Sequence, residues 1–134
     1  MRQGLVGLSV VVILVGGYLA IRLLAGEARA PIEAAIVVPE LSPRAVEGER
    51  LFETFCASCH GQSASGTQVG PPLVHDIYKP GHHADVAFLL AARQGVRQHH
   101  WNFGDMPPVE GVSGQEVERI TAYVRALQEA NDIN

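Results

Sequence analysis

The pentapeptide Cys56-Ala57-Ser58-Cys59-His60 constrains this chain of 134 residues more than any other feature. It matches C-x-x-C-H, a pattern typical of covalent haem attachment. Two thiols three residues apart on a helical turn face the same side, so both can form thioether bonds to one porphyrin. The imidazole of the next residue then points at the iron. We therefore predict one covalently attached haem c, held by Cys56 and Cys59, with His60 as an iron ligand.

Other uses of two cysteines explain the pattern less well. A structural zinc site requires four Cys or His ligands in paired spacing, and the chain has no second cysteine pair. A thioredoxin-like redox pair requires a βαβ setting, which the sequence does not suggest. A disulfide between Cys56 and Cys59 would close too short a loop to stabilise much. With only one Trp, three Tyr and four Phe, the chain also needs a buried macrocycle to complete its core.

A long apolar segment precedes the motif. Gly4 to Ile21 contains no charged residue, and after one arginine the apolar run continues to Ala25. As a helix it would be about 33 Å long, sufficient for a hydrocarbon core of about 30 Å. We predict a transmembrane anchor over residues 1–26 and a linker over residues 27–41. A cleaved signal peptide is the alternative, although its apolar region is normally shorter.

Residues 42–134 show helical patterns and no convincing strand pattern. Ser42-Pro43 is typical of a helix start, and the helix it begins runs toward the cysteines. A short helix is predicted from Asp85, as a cap, to Gln94, with Gly95 as its stop.

The last helix has the clearest signals. It begins with a capping box, Ser113-x-x-Glu116. Its charged residues, including Arg125, are predicted to form an ordinary solvated face. Its apolar stripe comprises Val117, Ile120, Val124 and Leu127. The sequence therefore predicts a small all-α domain over residues 42–134, with three main helices.

Taken together, these features resemble the monohaem class I c-type cytochromes over nearly all of residues 42–129. The motifs that carry the resemblance are Gly48-x-x-x-Phe52, Cys56-x-x-Cys59-His60-Gly61, Gly70-Pro71-Pro72-Leu73, Met106-Pro107 and Tyr123 in the last helix. The resemblance implies a cytochrome c fold around one haem, with the first and last helices crossing at Gly48. It also implies that the Pro71 carbonyl contacts the proximal His60 and that Met106 is the sixth iron ligand.

The resemblance further implies a location. Lys/Arg asymmetry around the apolar segment does not determine its orientation. Members of the family acquire haem outside the cytoplasm, so a membrane-anchored bacterial type is implied, single-pass in the inner membrane with the haem domain on the periplasmic side.

The assignment of Met106 also has support outside the resemblance, and one further residue, Trp101, is assigned to the haem. Met106 is the only methionine apart from Met1, and it lies in a loop bounded by Gly and Pro. Core packing, or a histidine in the distal position, is the alternative to its role as a ligand. We interpret Trp101 as packing on the haem edge or bonding a propionate. The remaining histidines suggest an extra copper or zinc site, or simply a histidine-rich surface: His75, His82, His83, His99 and His100.

An iron with ligands on both faces has no open position for a substrate, which favours electron transfer over catalysis. The predicted function is therefore a membrane-tethered electron carrier between respiratory redox partners, not an enzyme, with no small-molecule substrate. One alternative is a haem c subunit through which electrons enter a larger membrane oxidoreductase. A haem-based gas sensor or peroxidase is another, and it would require the sixth ligand to leave.

The charge of the chain limits its partners. Residues 31–134 contain thirteen acidic and seven basic residues, and the whole chain carries a net charge of −4. Nucleic acid is excluded as a partner because nothing forms a basic stripe. Since Lys79 is the only lysine, docking is expected through an apolar patch near the haem edge or to a basic partner.

Overall fold

The computed structural model describes Val15, Gly17 and residues 36–134. Apart from Val15 and Gly17, the predicted anchor over residues 1–26 lies outside the described residues, as does the linker up to residue 35. No helix among the described residues is long and apolar enough to cross a membrane. The folded unit begins at Ile36.

Four helices make up the framework of this unit: α1 (Pro43–Phe55), α2 (Ala57–His60), α3 (Asp85–Gln94) and α4 (Gly114–Ala130). Two 3-10 turns, Gln62–Ala64 and Asp76–Tyr78, lie in the connections. Within residues 36–134 the only strand-like pairing is an isolated antiparallel bridge between Val96 and Met106. The helical fold predicted from the sequence is therefore confirmed for this region.

The helix ends follow the predicted signals with one exception. The Ser42 hydroxyl accepts a hydrogen bond from the Ala45 N–H at the start of α1. Ser113 and Glu116 form both hydrogen bonds of a capping box before α4. Gly95 ends α3 with φ of 73°, a conformation that favours glycine. Asp85, predicted as the cap of α3, is instead its first residue.

Helices α1 and α4 cross in close contact at Gly48. A Cβ atom at Gly48 would collide with the Arg119 carbonyl oxygen and lie 3.0 Å from Tyr123 Cβ. The Phe52 and Tyr123 rings pack beside this crossing with centroids 5.6 Å apart, and both side chains are fully buried. The crossing implied by the cytochrome resemblance is confirmed, and it places the end of α1, where the cysteines follow, against the core.

Arg125 on α4 is not part of a solvated face, so that prediction was wrong. Its side chain is only 16% exposed and its Nε donates to Asp85 Oδ1 at 2.8 Å. The guanidinium also donates to the carbonyl oxygens of Tyr78 and His83, and it stacks over the Phe88 ring at 5.0 Å. These carbonyls lie in an irregular segment that lacks helical partners, and the arginine satisfies them.

Polar side chains at the end of α4 also hold irregular parts of the backbone. The buried Gln128 amide donates to the carbonyl oxygens of Leu73 and Tyr78, at 2.7 Å and 3.1 Å. Asn131 exchanges two hydrogen bonds of 2.9 Å with the backbone of Val37. The last residues of the predicted linker thus pack on the folded unit.

Candidate haem-binding site

All six residues that the sequence assigned to the haem line one cavity of about 620 Å³. Its volume lies within the range of about 300–1,000 Å³ typical of cofactor sites. The residues brought together are Cys56, Cys59, His60, Pro71, Trp101 and Met106. The fold therefore gathers groups that are up to 50 residues apart in the chain.

The two cysteines lie at an interruption of the helix. Cys56, with φ of −124°, separates α1 from the single turn of α2, so the turn that presents both thiols is set off from the longer helix. Cys59 is exposed and Cys56 is half-buried, and the two do not form a disulfide. Burial raises the pKa of Cys56 to about 11, and the nearby Cys59 adds to the shift.

The imidazole of His60 is oriented by the backbone at Pro71. His60 Nδ1 lies 2.8 Å from the Pro71 carbonyl oxygen. A carbonyl can only accept, so Nδ1 carries the proton and Nε2 keeps its lone pair available for a metal. Burial lowers the pKa of His60, and the hydrogen bond to Pro71 partly opposes this shift. The neutral ring is the form that binds iron.

Gly70 allows the chain to approach the histidine so closely. A Cβ atom at Gly70 would lie 2.6 Å from the Cys59 carbonyl oxygen. A side chain at this position would push the Gly70-Pro71 backbone away from α2, which ends at His60.

The backbone of Met106 is fixed by its bridge to Val96. The N–H of each residue donates to the carbonyl of the other, with both distances 2.9 Å. Gly95 stands beside this bridge with φ of 73°, and a Cβ there would collide with the Met106 carbonyl oxygen. Sequence reasoning missed the bridge because two residues ten positions apart, in an irregular loop, show no periodicity.

Trp101 offers a test of whether a haem fits the cavity. Its indole Nε1 is buried and has no acceptor within hydrogen-bonding geometry. Its ring packs edge-on against His75, with centroids 5.0 Å apart. A buried donor without a partner is costly, and a haem would bring propionate carboxylates that can accept. Burial raises the pKa of the nearby Tyr78, and a polar interaction with the Trp101 side chain partly offsets that shift, although the indole N–H does not meet the geometry of a hydrogen bond there.

One wall of the cavity was not predicted. It is formed by α3, whose residues Ala87, Phe88, Leu90 and Ala91 line the space. The sequence signal for this wall was the apolar run in the helix. Such a run indicates that the helix is buried, but not which part of the protein it packs against. Leu90 is 45% exposed, so this wall offers apolar surface to a macrocycle. Thiols, imidazole, thioether, apolar wall and free N–H together fit a covalently attached haem.

Comparisons with known proteins agree with this geometry. The family described as cytochrome c matches residues 45–128. The chain is 31% identical over 86 residues to the "Cbb3-type cytochrome c oxidase subunit CcoP" of Rubrivivax gelatinosus, which covers 62% of this chain and 26% of that protein. The chain thus spans about a quarter of the length of that relative. No solved structure matches. The chain belongs to the cytochrome c family, and as such it carries a covalently bound haem c and functions in electron transfer.

Proposed function

We propose that this protein is a membrane-tethered carrier that passes single electrons between respiratory redox partners, with His60 and Met106 as the ligands that would hold its haem iron. The observation that carries the proposal is the cavity, because it is lined by both an imidazole and a thioether as well as by the two thiols. This is the donor set of cytochromes c that transfer electrons.

The residues of the site would hold the cofactor in different ways. Cys56 and Cys59 would form the two thioether bonds, and His60 would ligate through Nε2, since its Nδ1 is bonded to the Pro71 carbonyl. The Met106 thioether would be the second protein ligand of the iron, and a thioether ligand favours reduced iron and raises the potential. When bound, the haem supplies a one-electron iron couple.

Trp101 would donate its free indole N–H to a propionate, which satisfies the donor that is otherwise buried without a partner. The apolar residues of α3 would exclude water from the haem, and exclusion of water contributes to the potential of the couple. Neither role involves a substrate. We therefore assign the protein the role of a carrier without catalytic activity of its own.

The tether and the location form the second part of the proposal. The apolar stretch from Gly4 to Ala25, interrupted by one arginine, is long enough to anchor the chain in a bacterial inner membrane. Covalent haem attachment outside the cytoplasm supports a periplasmic haem domain. Its acidic balance favours a basic docking surface on the partner, or contact through apolar residues near the haem.

The likeness to an oxidase subunit favours one alternative, in which the protein is the haem c subunit of a larger membrane oxidoreductase. Solubilisation in mild detergent followed by size-exclusion chromatography distinguishes the two. A free carrier elutes alone with its detergent micelle. A subunit elutes with other proteins, and haem absorbance follows the larger peak.

Optical redox titration of the haem-loaded full-length protein tests the proposal. We expect one transition with one-electron Nernst behaviour, a sharp low-spin spectrum when reduced, and no rapid binding of carbon monoxide. Met106→Ala should lower the potential, produce a high-spin spectrum and permit carbon monoxide binding. Trp101→Phe is the control, because it keeps both ligands and should stay low-spin. Rapid carbon monoxide binding by the unaltered protein would instead support a gas sensor or peroxidase.

A further inference from the structure

A cluster of histidines lies beside the haem cavity but takes no part in the proposed ligation. One ring nitrogen from each of His82, His83 and His100 lies within 4.8 Å of the others. His83 and His100 also line the cavity, whereas His82 stands outside it. We propose that these three side chains form a binding site for a divalent transition-metal ion, and Zn²⁺ is the ion used to test it.

The spacing of two of the rings matches a metal site. His82 Nε2 and His100 Nε2 are 3.3 Å apart. Two nitrogen ligands at Zn–N distances of about 2.0–2.1 Å with a tetrahedral angle between them are separated by about 3.3–3.4 Å. A hydrogen bond between two neutral rings would need only one of the two lone pairs, whereas a cation uses both.

A hydrogen bond from the third ring, that of His83, fixes which of its nitrogens can bind a metal. His83 Nδ1 lies 2.6 Å from the Ile77 carbonyl oxygen, so Nδ1 carries the proton and Nε2 is left as the ligand atom. A hydrogen bond of this kind is how proteins fix the tautomer of metal-binding histidines. In this respect His83 is held in the form that a metal requires.

The backbone under the two neighbouring ligands is also held. The N–H groups of His82 and His83 both donate to the Lys79 carbonyl at 2.9 Å. The His83 carbonyl accepts from Arg125. The turn therefore presents two ligands on a fixed backbone, which reduces the ordering that metal binding would require.

His99 is adjacent to the cluster but not one of the three. Its ring centroid is 4.2 Å from that of His100, but its ring nitrogens do not belong to the group of ligand atoms that all lie within 4.8 Å of one another. Three imidazoles leave a fourth position for water or another small ligand. Imidazole donors select zinc, copper or nickel over magnesium and calcium.

The bound ion would join two parts of the chain. His82 and His83 belong to the turn before α3, whereas His100 lies in the loop that leads to Met106. A cation bound by all three would cross-link the turn to that loop. The inference does not depend on the axial ligation proposed above, since none of the three is an assigned haem ligand.

Equilibrium dialysis of the haem-loaded full-length protein against Zn²⁺ alone tests the site, with protein that carries no histidine tag. Haem loading also removes Cys56 and Cys59 as competing thiolate ligands. We expect one Zn²⁺ per chain, and at least tenfold weaker binding in both His82→Ala and His100→Ala. His99→Ala is the matched control and should bind as the unaltered protein does.

A second readout separates a site from a loss of folding. His82→Ala, whose side chain does not line the cavity, should keep the haem spectrum and, without metal, the thermal midpoint of the unaltered protein. Zn²⁺ should raise that midpoint in the unaltered protein and in His99→Ala only. Absence of stoichiometric Zn²⁺, or equal binding by His82→Ala and the unaltered protein, would overturn the proposal. Loss of binding in His99→Ala with retention in His82→Ala would do the same.

Discussion

Replacement of Gly48 by alanine tests the helix crossing that supports the haem site. The added Cβ would collide with the Arg119 carbonyl oxygen, and a backbone atom cannot move aside as a side chain does. Overpacking of this kind costs about 1–3 kcal/mol, and we take the upper end because the obstacle is backbone. Alanine regains about 1 kcal/mol of helix propensity over glycine. The net loss of unfolding free energy is therefore about 2 kcal/mol, or roughly a 30-fold smaller folding constant at about 1.4 kcal/mol per factor of ten.

Urea unfolding of the haem-loaded protein, followed by circular dichroism, measures this loss. Gly81→Ala is the control, because a Cβ at Gly81 meets no atom within 4 Å and its backbone is not in the left-handed region. That control should change the free energy of unfolding by less than about 0.5 kcal/mol. If Gly48→Ala is as stable as Gly81→Ala, the close crossing of α1 and α4 is not what holds the domain together.

Three other predictions concern the surroundings of the site. Arg125→Met should lower the free energy of unfolding by about 1.5–3 kcal/mol in urea titrations, because charged hydrogen bonds to two carbonyls are lost. The Asp85 carboxylate is 73% exposed, so Asp85→Asn should lower the free energy of unfolding by less than about 1 kcal/mol. Equal losses in the two variants would contradict the conclusion that Arg125 stabilises the fold mainly through the two carbonyls. The hydrogen bond from the Ser113 N–H lowers the pKa of Glu116 from 4.5. This hydrogen bond therefore adds to the free energy of unfolding above that pH, and the contribution is lost as the pH falls through the lowered pKa of Glu116. Glu116→Gln should make the decrease of unfolding free energy in acid less steep. An unchanged decrease would argue against the capping box. Gly95→Ala should displace Met106 and weaken the thioether charge-transfer band of the oxidised haem, and an intact band would show that the bridge to Val96 is not needed.

Much of the site was accessible from the sequence because its chemistry is local. The C-x-x-C-H spacing places two thiols and an imidazole on one turn, and no long-range information is needed to see that. The caps at Ser42 and Ser113 are equally local, and both occur in the structure. The assignment of Pro71 and Met106 came from resemblance, since nothing in the spacing connects either to His60.

What the sequence did not reveal depends on contacts between distant segments. Arg125 belongs to a set of charged residues typical of a solvated helix face. Its guanidinium is buried only because the segment around Tyr78 and His83 packs against it. The sequence suggested a metal site among five histidines but not which of them share it, because His82 and His100 are 18 positions apart and meet only after the loop folds.

The ligands of the iron decide whether the protein is an electron carrier. Near-infrared magnetic circular dichroism of the oxidised full-length protein identifies them directly, because the energy of the charge-transfer band differs between thioether and imidazole ligation. With His60 and Met106 as ligands, the low-spin band should fall at the energy typical of histidine–methionine haem, and Met106→Ala should abolish it. A band typical of two histidines, or a high-spin spectrum in the unaltered protein, would contradict the assignment of Met106 and with it the proposed carrier.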